Sequence, residues 1–415
     1  MAASRLFTFP AAFEVLRLNR VTKVLLVILL VVLTAAGTFW GTATWMRQRY
    51  ETQMDTDPVQ AKLDEIGALL EYYFIDDYES EAVITAAADG AAAGMVEGTG
   101  DRWSYYISAK DMQSHNEQLY NSYVGIGVTI QEADDGMEIM SVTAGSPAEE
   151  AGIQAGDICV AVEGQKTKEL GLQGTKDVVR GEEGTMVDME FLRGGEPYQC
   201  SVERRAILTP VAELEMLEGK VAWISIYNFD YHCAEQTLAC IDEALSQGAE
   251  ALLFDVRFNP GGLKDELVEV LDVLLPEGDI FRSVDYAGTE EVDRSDADCL
   301  DLPMVVLVNE DSYSAAEFFA AALQEYGLAE IVGVQTSGKG NFQYTFELSD
   351  GSAVALSVGK YFTPNGRSLT DVGVTPDVEM DLDGADYQAL YYGTLAPEDD
   401  EQLQAGLQLL LEKIA

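Results

Sequence analysis

The residues of this 415-residue chain that are best suited to covalent chemistry are a serine and a lysine 25 positions apart. Ser314 opens the apolar helical run in DSYSAAEFFAAALQEYG, and Lys339 stands between two glycines in SGKGNFQ. A serine hydroxyl is a poor nucleophile without a base. The chain has only two histidines, His115 and His232, and both lie in segments that read as helices. A lysine whose pKa is lowered by burial can serve instead, so the pair predicts a serine nucleophile with an amine base.

Ser314 also has a purely structural interpretation. With Glu317 it forms S-x-x-E, the pattern of a capping box that satisfies the first free amides of a helix. The same amides are suited to stabilising a developing oxyanion. Capping and catalysis can share one junction, so this pattern alone leaves both interpretations open.

The segments that must position these residues predict an α/β core. From about Val211 onward, apolar runs typical of strands alternate with amphipathic runs typical of helices. Such alternation implies βαβ units around a largely buried sheet. Two strand-to-helix junctions stand out, FDVRFNPGGLKDE and VNEDSYSAAEFF, and the second carries Ser314.

Short strands separated by glycine turns begin at Tyr123 and enclose the segment AGSPAEEAGIQAGD. The opening glycine turn, SPAxxAGIxxGD and the strand ending in VEG together resemble a PDZ domain over about 85 residues. The resemblance implies that an extended C-terminal peptide is bound as an added strand, while loop amides hold its carboxylate. That loop consists of Val124, Gly125, Ile126 and Gly127. The alternative is that its two glycines only form a tight turn.

Further motifs resemble those of the C-terminal processing peptidases, the S41 family of serine proteases with a Ser/Lys dyad and a PDZ domain. They are NxxSxSAxE followed by GKGxxQ, GDRWSYYISAKD, FDVRFNPGG and GRSLTDVGVTPD, and the resemblance covers residues 60 to 412. It implies an α/β fold class in which a helical cap and a PDZ domain, a small β-sandwich or barrel with helices, precede a ClpP/crotonase-like βαβ protease core.

The resemblance assigns catalytic roles to three residues. Ser314 is implied to be the nucleophile, Lys339 its general base and Gln343 the residue that orients the lysine. This chain departs from the family at Tyr313, where alanine is usual, and at Ala316, where a second serine is frequent. Both departures flank the nucleophile without replacing it, so they affect the expected specificity more than the expected activity.

The resemblance also implies an oxyanion hole and a coupling residue. The amide of Ala315 is expected to act with an amide from Gly261 or Gly262, and the choice of glycine stays open. Arg180 in VVRGEEGT matches an arginine that couples peptide binding to an aligned active site. A surface salt bridge explains Arg180 equally well. The segment GDRWS lacks the usual proline, which affects only a turn.

The N-terminal residues predict a membrane anchor. The run from Val24 to Trp40 is apolar, and the absence of charge continues to Met46, which is long enough to cross a bilayer core of about 30 Å. Four basic residues precede the run and two follow it, which predicts a cytoplasmic N-terminus and an extracytoplasmic remainder at the cell membrane. A cleaved signal peptide, with Ala36 or Ala43 at the cleavage site, is the alternative.

The composition narrows the classes of partner and cofactor. The chain has 72 acidic and 25 basic residues, a net charge of −47, and no basic stripe, so nucleic acid is not an expected partner. Its five cysteines form no CxxC or Cys/His cluster, so no metal or other cofactor is expected. One disulfide between Cys159 and Cys200 stays open. The expected partners are protein substrates with apolar C-terminal tails and the membrane, through one N-terminal helix.

These patterns divide the chain into five parts. They are a cytoplasmic N-terminus with a transmembrane anchor (1–49), a helical region (50–116), a PDZ domain (117–206), a protease core (207–395) and a C-terminal helix (396–415). Together they predict an anchored extracytoplasmic endopeptidase that captures protein tails and cleaves near them. The alternatives are an inactive PDZ scaffold and an enoyl-hydratase-like enzyme. The apolar face of the C-terminal helix, with the N-terminal helices, could support a homo-oligomer.

Overall fold

The computed structural model of the protein describes residue 34 and residues 37–42, 44–45 and 57–415. Most of the predicted transmembrane run from Val24 to Trp40 lies outside these residues. Within the described ranges, no helix is long and apolar enough to cross a membrane. The chain divides into two compact units, Met1–Gly90 and Ala91–Ala415.

The first unit contains helix α1, Pro58–Tyr73, and the start of helix α2, Glu81–Glu97. Helix α1 begins at Pro58 because the Asp57 carboxylate accepts hydrogen bonds from the amides of Val59 (2.9 Å) and Gln60 (3.3 Å). Proline itself has no amide that needs a partner. Both helices agree with the helical prediction for this region.

The second unit departs from that prediction soon after α2 ends. Tyr105–Ile107 form a strand, β1, which pairs antiparallel with Ala353–Ala355 near the other end of the chain. Helix α3, Met112–Leu119, follows. The region predicted to be helical, with a break at GTGDRWS, therefore also contains a strand that the sequence did not indicate. Three residues are too few to show an alternating pattern, and their partner strand is distant in sequence.

A six-stranded sheet with two helices occupies the region predicted to be PDZ-like. The elements are β2 (Ser122–Gly125), β3 (Val128–Ala133), β4 (Gly136–Val142), α4 (Pro147–Glu150), β5 (Ile158–Val162), β6 (Gln165–Lys166), α5 (Thr167–Val179), β7 (Met186–Arg193), β8 (Glu196–Glu203) and β9 (Arg205–Leu208). The sheet order is β3-β4-β5-β7-β8, with β6 beside β5, while β2 pairs with β9. The predicted strand YVGIGVTI is thus divided in two, and its second half, β3, lies at the edge of the sheet.

The rest of the second unit is built on two further sheets. Its elements are β10 (Ala212–Met216), a 3₁₀ turn (Glu218–Lys220), β11 (Val221–Ile226), α6 (Cys233–Ser246), β12 (Ala251–Asp255), α7 (Lys264–Leu274), β13 (Gly278–Asp285), β14 (Glu290–Ser295), β15 (Met304–Val308), α8 (Ala315–Glu325), β16 (Ala329–Gly333), β17 (Asn341–Glu347), β18 (Ala353–Phe362), β19 (Val378–Glu379), α9 (Gly384–Tyr391) and α10 (Glu401–Ile414).

The central sheet has the order β10-β11-β12-β15-β16-β19, and only the β10 pairing is antiparallel. Strands β12 and β15 are buried at every position, as expected for parallel strands covered on both faces. Helices α6, α7 and α8 pack on one face, and α10 packs on the other. Adjacent parallel strands end at the same edge, so the loops after β11, β12 and β15 meet there.

The second of these sheets has the order β1-β18-β13-β14, with β17 beside β18. Strand β18 pairs with β17 along one edge and with β1 and β13 along the other. Strand β17 begins two residues after Lys339, so this sheet carries the segment that follows the predicted base.

The loop after β12 is fixed by a buried arginine. Arg257 donates to the carboxylates of Asp255 and Asp400, the latter at 2.8 and 3.0 Å, and to Oε1 of Gln402 at 3.1 Å. Arg257 is almost completely buried, and its charge is matched by these two carboxylates. This network joins the loop to the beginning of α10.

Helix α10 uses its apolar face inside its own unit. Leu403, Leu407 and Leu410 are buried in a cluster with Leu253 and Leu307 of the central sheet. The expectation that this face supports a homo-oligomer is therefore wrong for the C-terminal helix, because its apolar side chains are already covered.

All five cysteines have free thiols. Cys159 lies on β5 and Cys200 on β8, with strand β7 between them. Strands two positions apart in a sheet are about 10 Å apart, which exceeds the span of a disulfide. The pairing left open from the sequence is not formed.

Candidate active site

The predicted nucleophile lies at the sharp turn from β15 into α8. Ser314 directly precedes α8 and has φ 60° and ψ −119°, a conformation that non-glycine residues rarely adopt. Side chains within the turn hold its shape. The Ser312 hydroxyl donates to the Val256 carbonyl at 2.7 Å and accepts from the Asn309 amide at 3.0 Å. The turn is therefore tied to the end of the neighbouring strand.

Glu317 joins the segments that carry the predicted nucleophile and base. Its fully buried carboxylate accepts from the backbone amides of Ser314 (2.9 Å), Gly338 (2.7 Å) and Lys339 (2.9 Å), and from the Thr336 hydroxyl (2.6 Å). Burial raises the pKa of this carboxyl, and the four hydrogen bonds oppose that rise. Sequence reasoning identified Glu317 as a capping residue but missed its bonds to residues 336–339, which no local pattern indicates.

Lys339 projects toward two aromatic rings. Its Nζ lies 5.0 Å from the ring centroid of Trp103 and 5.9 Å from that of Tyr313. The ring centroids of Trp103 and Tyr313 are themselves 5.6 Å apart. Trp103 comes from the segment before β1, which sequence reasoning treated as cap and not as part of the site.

Burial lowers the pKa of Lys339 to about 8. The negative charges of Glu317, Asp101 and Asp230 oppose this shift, in that order of importance. Burial also raises the pKa of Asp230 to about 7, and the charge of nearby Glu266 adds to that rise. The site thus holds an amine and a carboxyl that both titrate near neutrality, which is typical of catalytic sites.

Ser314 and Lys339 line one cavity of about 990 Å³. Gln343, Gly261 and Gly262 line it as well, so the predicted catalytic residues are brought together. Within the described residues, the Ser314 hydroxyl and the Lys339 amine form no hydrogen bond to each other. Such contacts are often long before substrate binds.

Gln343 and Tyr361 contact the site in ways that the sequence did not indicate. Gln343 Nε2 donates to the Asn341 carbonyl at 3.2 Å and to Ser357 Oγ at 3.1 Å, not to Lys339. The buried Tyr361 hydroxyl donates to the carbonyl of Lys339. Burial raises the pKa of Tyr361, so its phenol stays protonated.

The two glycines predicted for the oxyanion hole differ in their hydrogen bonds. The amide of Gly261 donates to Asn259 Oδ1 at 2.8 Å. The amides of Gly262 and Ala315 have no partner within the described part of the chain. A Cβ at Gly261 would lie 2.6 Å from the Ser314 Cβ and 2.8 Å from the Ala315 nitrogen. Glycine at position 261 therefore keeps a space open beside Ser314 and beside the free amide of Ala315.

The predicted carboxylate loop lies at one end of a groove between β3 and α5. Val124 and Gly125 end strand β2, and Ile126 and Gly127 connect it to β3. All but Val124 line the groove, whose volume is about 220 Å³. Strand β3 has a partner on one side only, so its outer edge is open to an added strand.

The connecting residues of this loop have free amides. Their carbonyls are occupied, since Ile126 accepts from the Ala148 amide and Gly127 from the Thr143 amide, both at 2.9 Å. No hydrogen-bond partner for the amides of Ile126 and Gly127 is present among the described residues. Two adjacent free amides at the end of a groove are suited to an anionic group.

Arg180 lines the same groove and forms the salt bridge that the sequence allowed. Its Nη1 lies 2.8 Å from Oε2 of Glu117, and its guanidinium lies 5.2 Å from the ring centroid of Tyr123. Glu117 is on α3, and its neighbours His115 and Gln118 line the large cavity with Ser314. One helix therefore contacts both the groove and the cavity.

Neither His115 nor His232 forms a hydrogen bond with Ser314 in the ranges that the structure describes. Burial lowers the pKa of His115, which lies on α3 at the edge of the cavity. His232 precedes α6, rather than lying within it as the sequence suggested, and its Nδ1 lies 3.4 Å from Glu235. Among the described residues, no group of three or more His, Cys, Asp or Glu side chains could hold a metal ion.

Comparison with known proteins follows the same division of the chain. Residues 220–380 match the family described as Peptidase family S41, and residues 138–193 match a PDZ domain. The chain is 33% identical over 319 residues to the Carboxy-terminal processing protease CtpA of Bacillus subtilis strain 168, across 76% of this chain and 68% of that protein. It is 32% identical over 333 residues to a Probable CtpA-like serine protease of Staphylococcus aureus strain COL, across 79% and 66%.

The chain spans about two thirds of the length of these curated relatives. Among solved structures, it is similar to the photosystem II D1 C-terminal processing protease, with a TM-score of 0.45 and 23% sequence identity. That match covers 84% of this chain and 99% of the other.

Proposed function

Since this chain belongs to peptidase family S41, as a C-terminal processing serine peptidase, we propose that it cleaves peptide bonds with Ser314 as nucleophile and Lys339 as general base. The observation that carries the proposal is the Glu317 carboxylate, which binds the backbone amides of both residues at 2.9 Å. Both residues line one cavity, and the pKa of Lys339 is about 8. Such an amine is partly neutral at physiological pH, as a general base must be.

In the proposed reaction, the Ser314 hydroxyl proton passes to the neutral Nζ of Lys339 while Oγ bonds to the substrate carbonyl carbon. Collapse of the tetrahedral intermediate breaks the C–N bond, and the Lys339 ammonium gives its proton to the leaving amine. Water then attacks the acyl ester, with Lys339 accepting its proton. Collapse of the second tetrahedral intermediate breaks the bond between the acyl carbon and Oγ, the Lys339 ammonium returns the proton to Oγ, and the carboxylic acid product leaves.

The oxyanion of the intermediate would accept hydrogen bonds from the amides of Ala315 and Gly262. These amides are free, whereas that of Gly261 is held by Asn259. Donors fixed before the reaction stabilise developing charge without reorganisation. Gln343 is proposed to orient Lys339 once substrate is bound, by exchanging its present contact with Ser357 or Asn341 for one with the amine.

Substrate selection is proposed to begin in the PDZ groove. A protein tail would add to the open edge of β3, with its carboxylate on the free amides of Ile126 and Gly127 and the rest of the loop from Val124 and Gly125 around it. The net charge of −47 disfavours anionic tails and leaves apolar ones preferred.

Peptide binding in the groove is proposed to affect the catalytic cavity through the salt bridge between Arg180 and Glu117. Arg180 lines the groove, and Glu117 lies on α3, which also lines the catalytic cavity. A tail that displaces Arg180 would alter the position of α3 and with it the wall of the cavity.

The protein is further proposed to be anchored in the cell membrane with its catalytic part outside the cytoplasm. The support is the uncharged apolar run from Val24 to Trp40 and the excess of basic residues before it. Self-association of the chain is proposed to involve residues other than the covered face of α10.

The test of the proposed dyad is peptidase activity on an unfolded protein with an apolar tail. Ser314→Ala and Lys339→Ala should each abolish cleavage, and the double variant should be no worse than either alone, because the two act as a unit. The matched controls are Ser349→Ala and Lys360→Ala, which remove an exposed serine and an exposed lysine and should cleave normally.

Two outcomes would contradict the proposal. Substantial cleavage by folded Lys339→Ala would exclude lysine as the base. The absence of any cleavage by the unaltered protein, across apolar, acidic and basic tails, would favour an inactive PDZ scaffold instead.

A further inference from the structure

We propose that Trp103 and Tyr313 are positioning residues that hold the amine of Lys339 against their adjacent rings and shield it from water. The inference rests on the proposed function, because it concerns the residue assigned there as general base. The two rings and the amine form a compact triangle, with distances of 5.0, 5.9 and 5.6 Å between Nζ and the two ring centroids and between the centroids. We call Trp103 and Tyr313 the aromatic clamp.

The first ring of the aromatic clamp is fixed by its own loop. The Trp103 amide donates to Asp101 Oδ1 at 3.2 Å, and the other oxygen of Asp101 accepts from Ser104 Oγ at 2.5 Å. Ser104 Oγ in turn accepts from the Ser357 amide on β18 at 2.9 Å. Trp103 is therefore attached to the sheet beside the site, although it lies more than 200 residues before Lys339 in the sequence.

A cation lies over the same ring and joins the loop to the lysine segment. The Arg102 guanidinium is 4.3 Å from the Trp103 ring centroid, and its Nη2 donates to the Ser337 carbonyl at 2.9 Å. Ser337 is two residues before Lys339. The loop that supplies Trp103 is thus held against the very segment whose amine it covers.

The second ring of the aromatic clamp belongs to the residue next to the nucleophile. Tyr313 directly precedes Ser314, and its amide donates to the Asn259 carbonyl at 3.1 Å. Burial raises the pKa of Tyr313, so its ring is neutral when Lys339 titrates. The turn that carries the Ser314 hydroxyl therefore also supplies one of the two rings beside the Lys339 amine.

The aromatic clamp has two opposite effects on the amine. A ring face attracts the ammonium form, whereas apolar cover removes the water that the ammonium form needs. A ring face raises a lysine pKa by about 0.4 to 1.5, whereas burial can lower it by about 3 to 5. The apolar cover therefore outweighs the ring attraction, while the charges of Glu317, Asp101 and Asp230 separately oppose the fall of the pKa.

Substitutions of Trp103 to alanine and to leucine distinguish the effect of apolar cover from the effect of the aromatic ring face. Trp103→Ala admits water, so the pKa of Lys339 should rise toward the ordinary lysine value by about 1 or more. Trp103→Leu keeps apolar cover and removes only the ring face, so the pKa should stay where it is or fall. Tyr313→Ala should raise it, and Tyr313→Phe should leave it unchanged.

The experiment measures the titration of Lys339 directly and needs no turnover. In the full-length Ser314→Ala background, each variant is treated with 1-fluoro-2,4-dinitrobenzene across pH 6 to 11, and modification of Lys339 is quantified by peptide mass spectrometry. Only the neutral amine reacts, so the midpoint reports its pKa independently of access. Tyr286→Ala, on an exposed tyrosine of the β13–β14 turn, is the control, and thermal unfolding confirms that each variant is folded.

The aromatic clamp predicts a raised midpoint in Trp103→Ala, an unchanged or lowered midpoint in Trp103→Leu, and the parent midpoint in Tyr313→Phe. The proposal is overturned if folded Trp103→Ala and Tyr313→Ala both keep the parent midpoint, or if Trp103→Leu raises it as much as Trp103→Ala. The failure of the aromatic clamp and the failure of the proposed function can be distinguished. If the clamp variants shift the pKa of Lys339 as predicted but Lys339→Ala cleaves at an undiminished rate, the proposed function is overturned and the aromatic clamp is retained.

Discussion

At the scale of single residues, the proposed chemistry depends on the groups around the Lys339 amine, which determine its pKa. The Lys339 amine lies against the rings of Trp103 and Tyr313. Burial lowers its pKa to about 8, because the effect of burial exceeds the opposing effect of three negative carboxylates. Glu317 is the carboxylate with the largest effect, and it is committed to four hydrogen bonds. Asp230 is the carboxylate whose own pKa is raised, to about 7, so its charge develops near neutrality.

The first prediction concerns the coupling of Asp230 to the base. A negative charge favours the protonated amine, so Asp230→Asn should lower the pKa of Lys339 further. The neutral amine is the active form, so the rise of kcat/KM with pH should move to lower pH, by up to about one unit. Asp265→Asn, which removes an exposed carboxylate at the same cavity, is the control and should leave the profile in place. A profile displaced to higher pH in Asp230→Asn would show that the sign of this coupling is wrong.

At the scale of elements, the site depends on pairings that join distant parts of the chain. That Ser314 and Lys339 line one cavity was predictable from the motifs that carry them, and β12 and β15 were predictable from their continuous apolar runs. Trp103 was not, because β1 has only three residues and reaches the site through its pairing with β18. The sequence likewise showed that α10 has an apolar face, but not that the central sheet covers it.

The second prediction concerns the groove between β3 and α5. A tail peptide with a free carboxylate should bind about ten- to a hundred-fold more tightly than its amide, because a hydrogen bond to a charged group contributes roughly 1.5 to 3 kcal/mol. Amidation keeps every side chain, so it isolates the contact with the amides of Ile126 and Gly127. Isothermal titration of Ser314→Ala with both peptides measures the difference. Equal affinities would mean that the loop is only a turn.

A companion variant tests the link between groove and cavity. Glu117→Gln removes the charge that holds Arg180 and leaves the groove intact, so tail affinity should be retained while the effect of the tail on turnover changes. The control is Glu203→Gln on β8, an exposed carboxylate on the same domain.

At the scale of the whole molecule, charge and hydropathy are divided between the ends of the chain. The basic residues near the N-terminus flank an apolar run, and nearly all of the acidic residues that produce the net charge of −47 come after it. The basic residues before the apolar run are the support for the proposal that the N-terminus stays in the cytoplasm and the remainder is exported.

The third prediction follows from this division. The full chain should sediment with membranes and resist extraction at alkaline pH, and residues 50–415 expressed alone should stay in the soluble fraction with unchanged peptidase activity. Immunoblotting of the fractions, with protease added outside intact cells, measures both retention and orientation. Release of the full chain by alkaline extraction would contradict an uncleaved anchor and favour removal of the segment.

The most direct test of the central claim is covalent labelling of the nucleophile with a fluorophosphonate. The account predicts that the label is found on Ser314, that its rate rises with pH through a midpoint near pH 8, and that labelling is lost in folded Lys339→Ala. Labelling of another residue, or of Ser314 at an undiminished rate without Lys339, would contradict it.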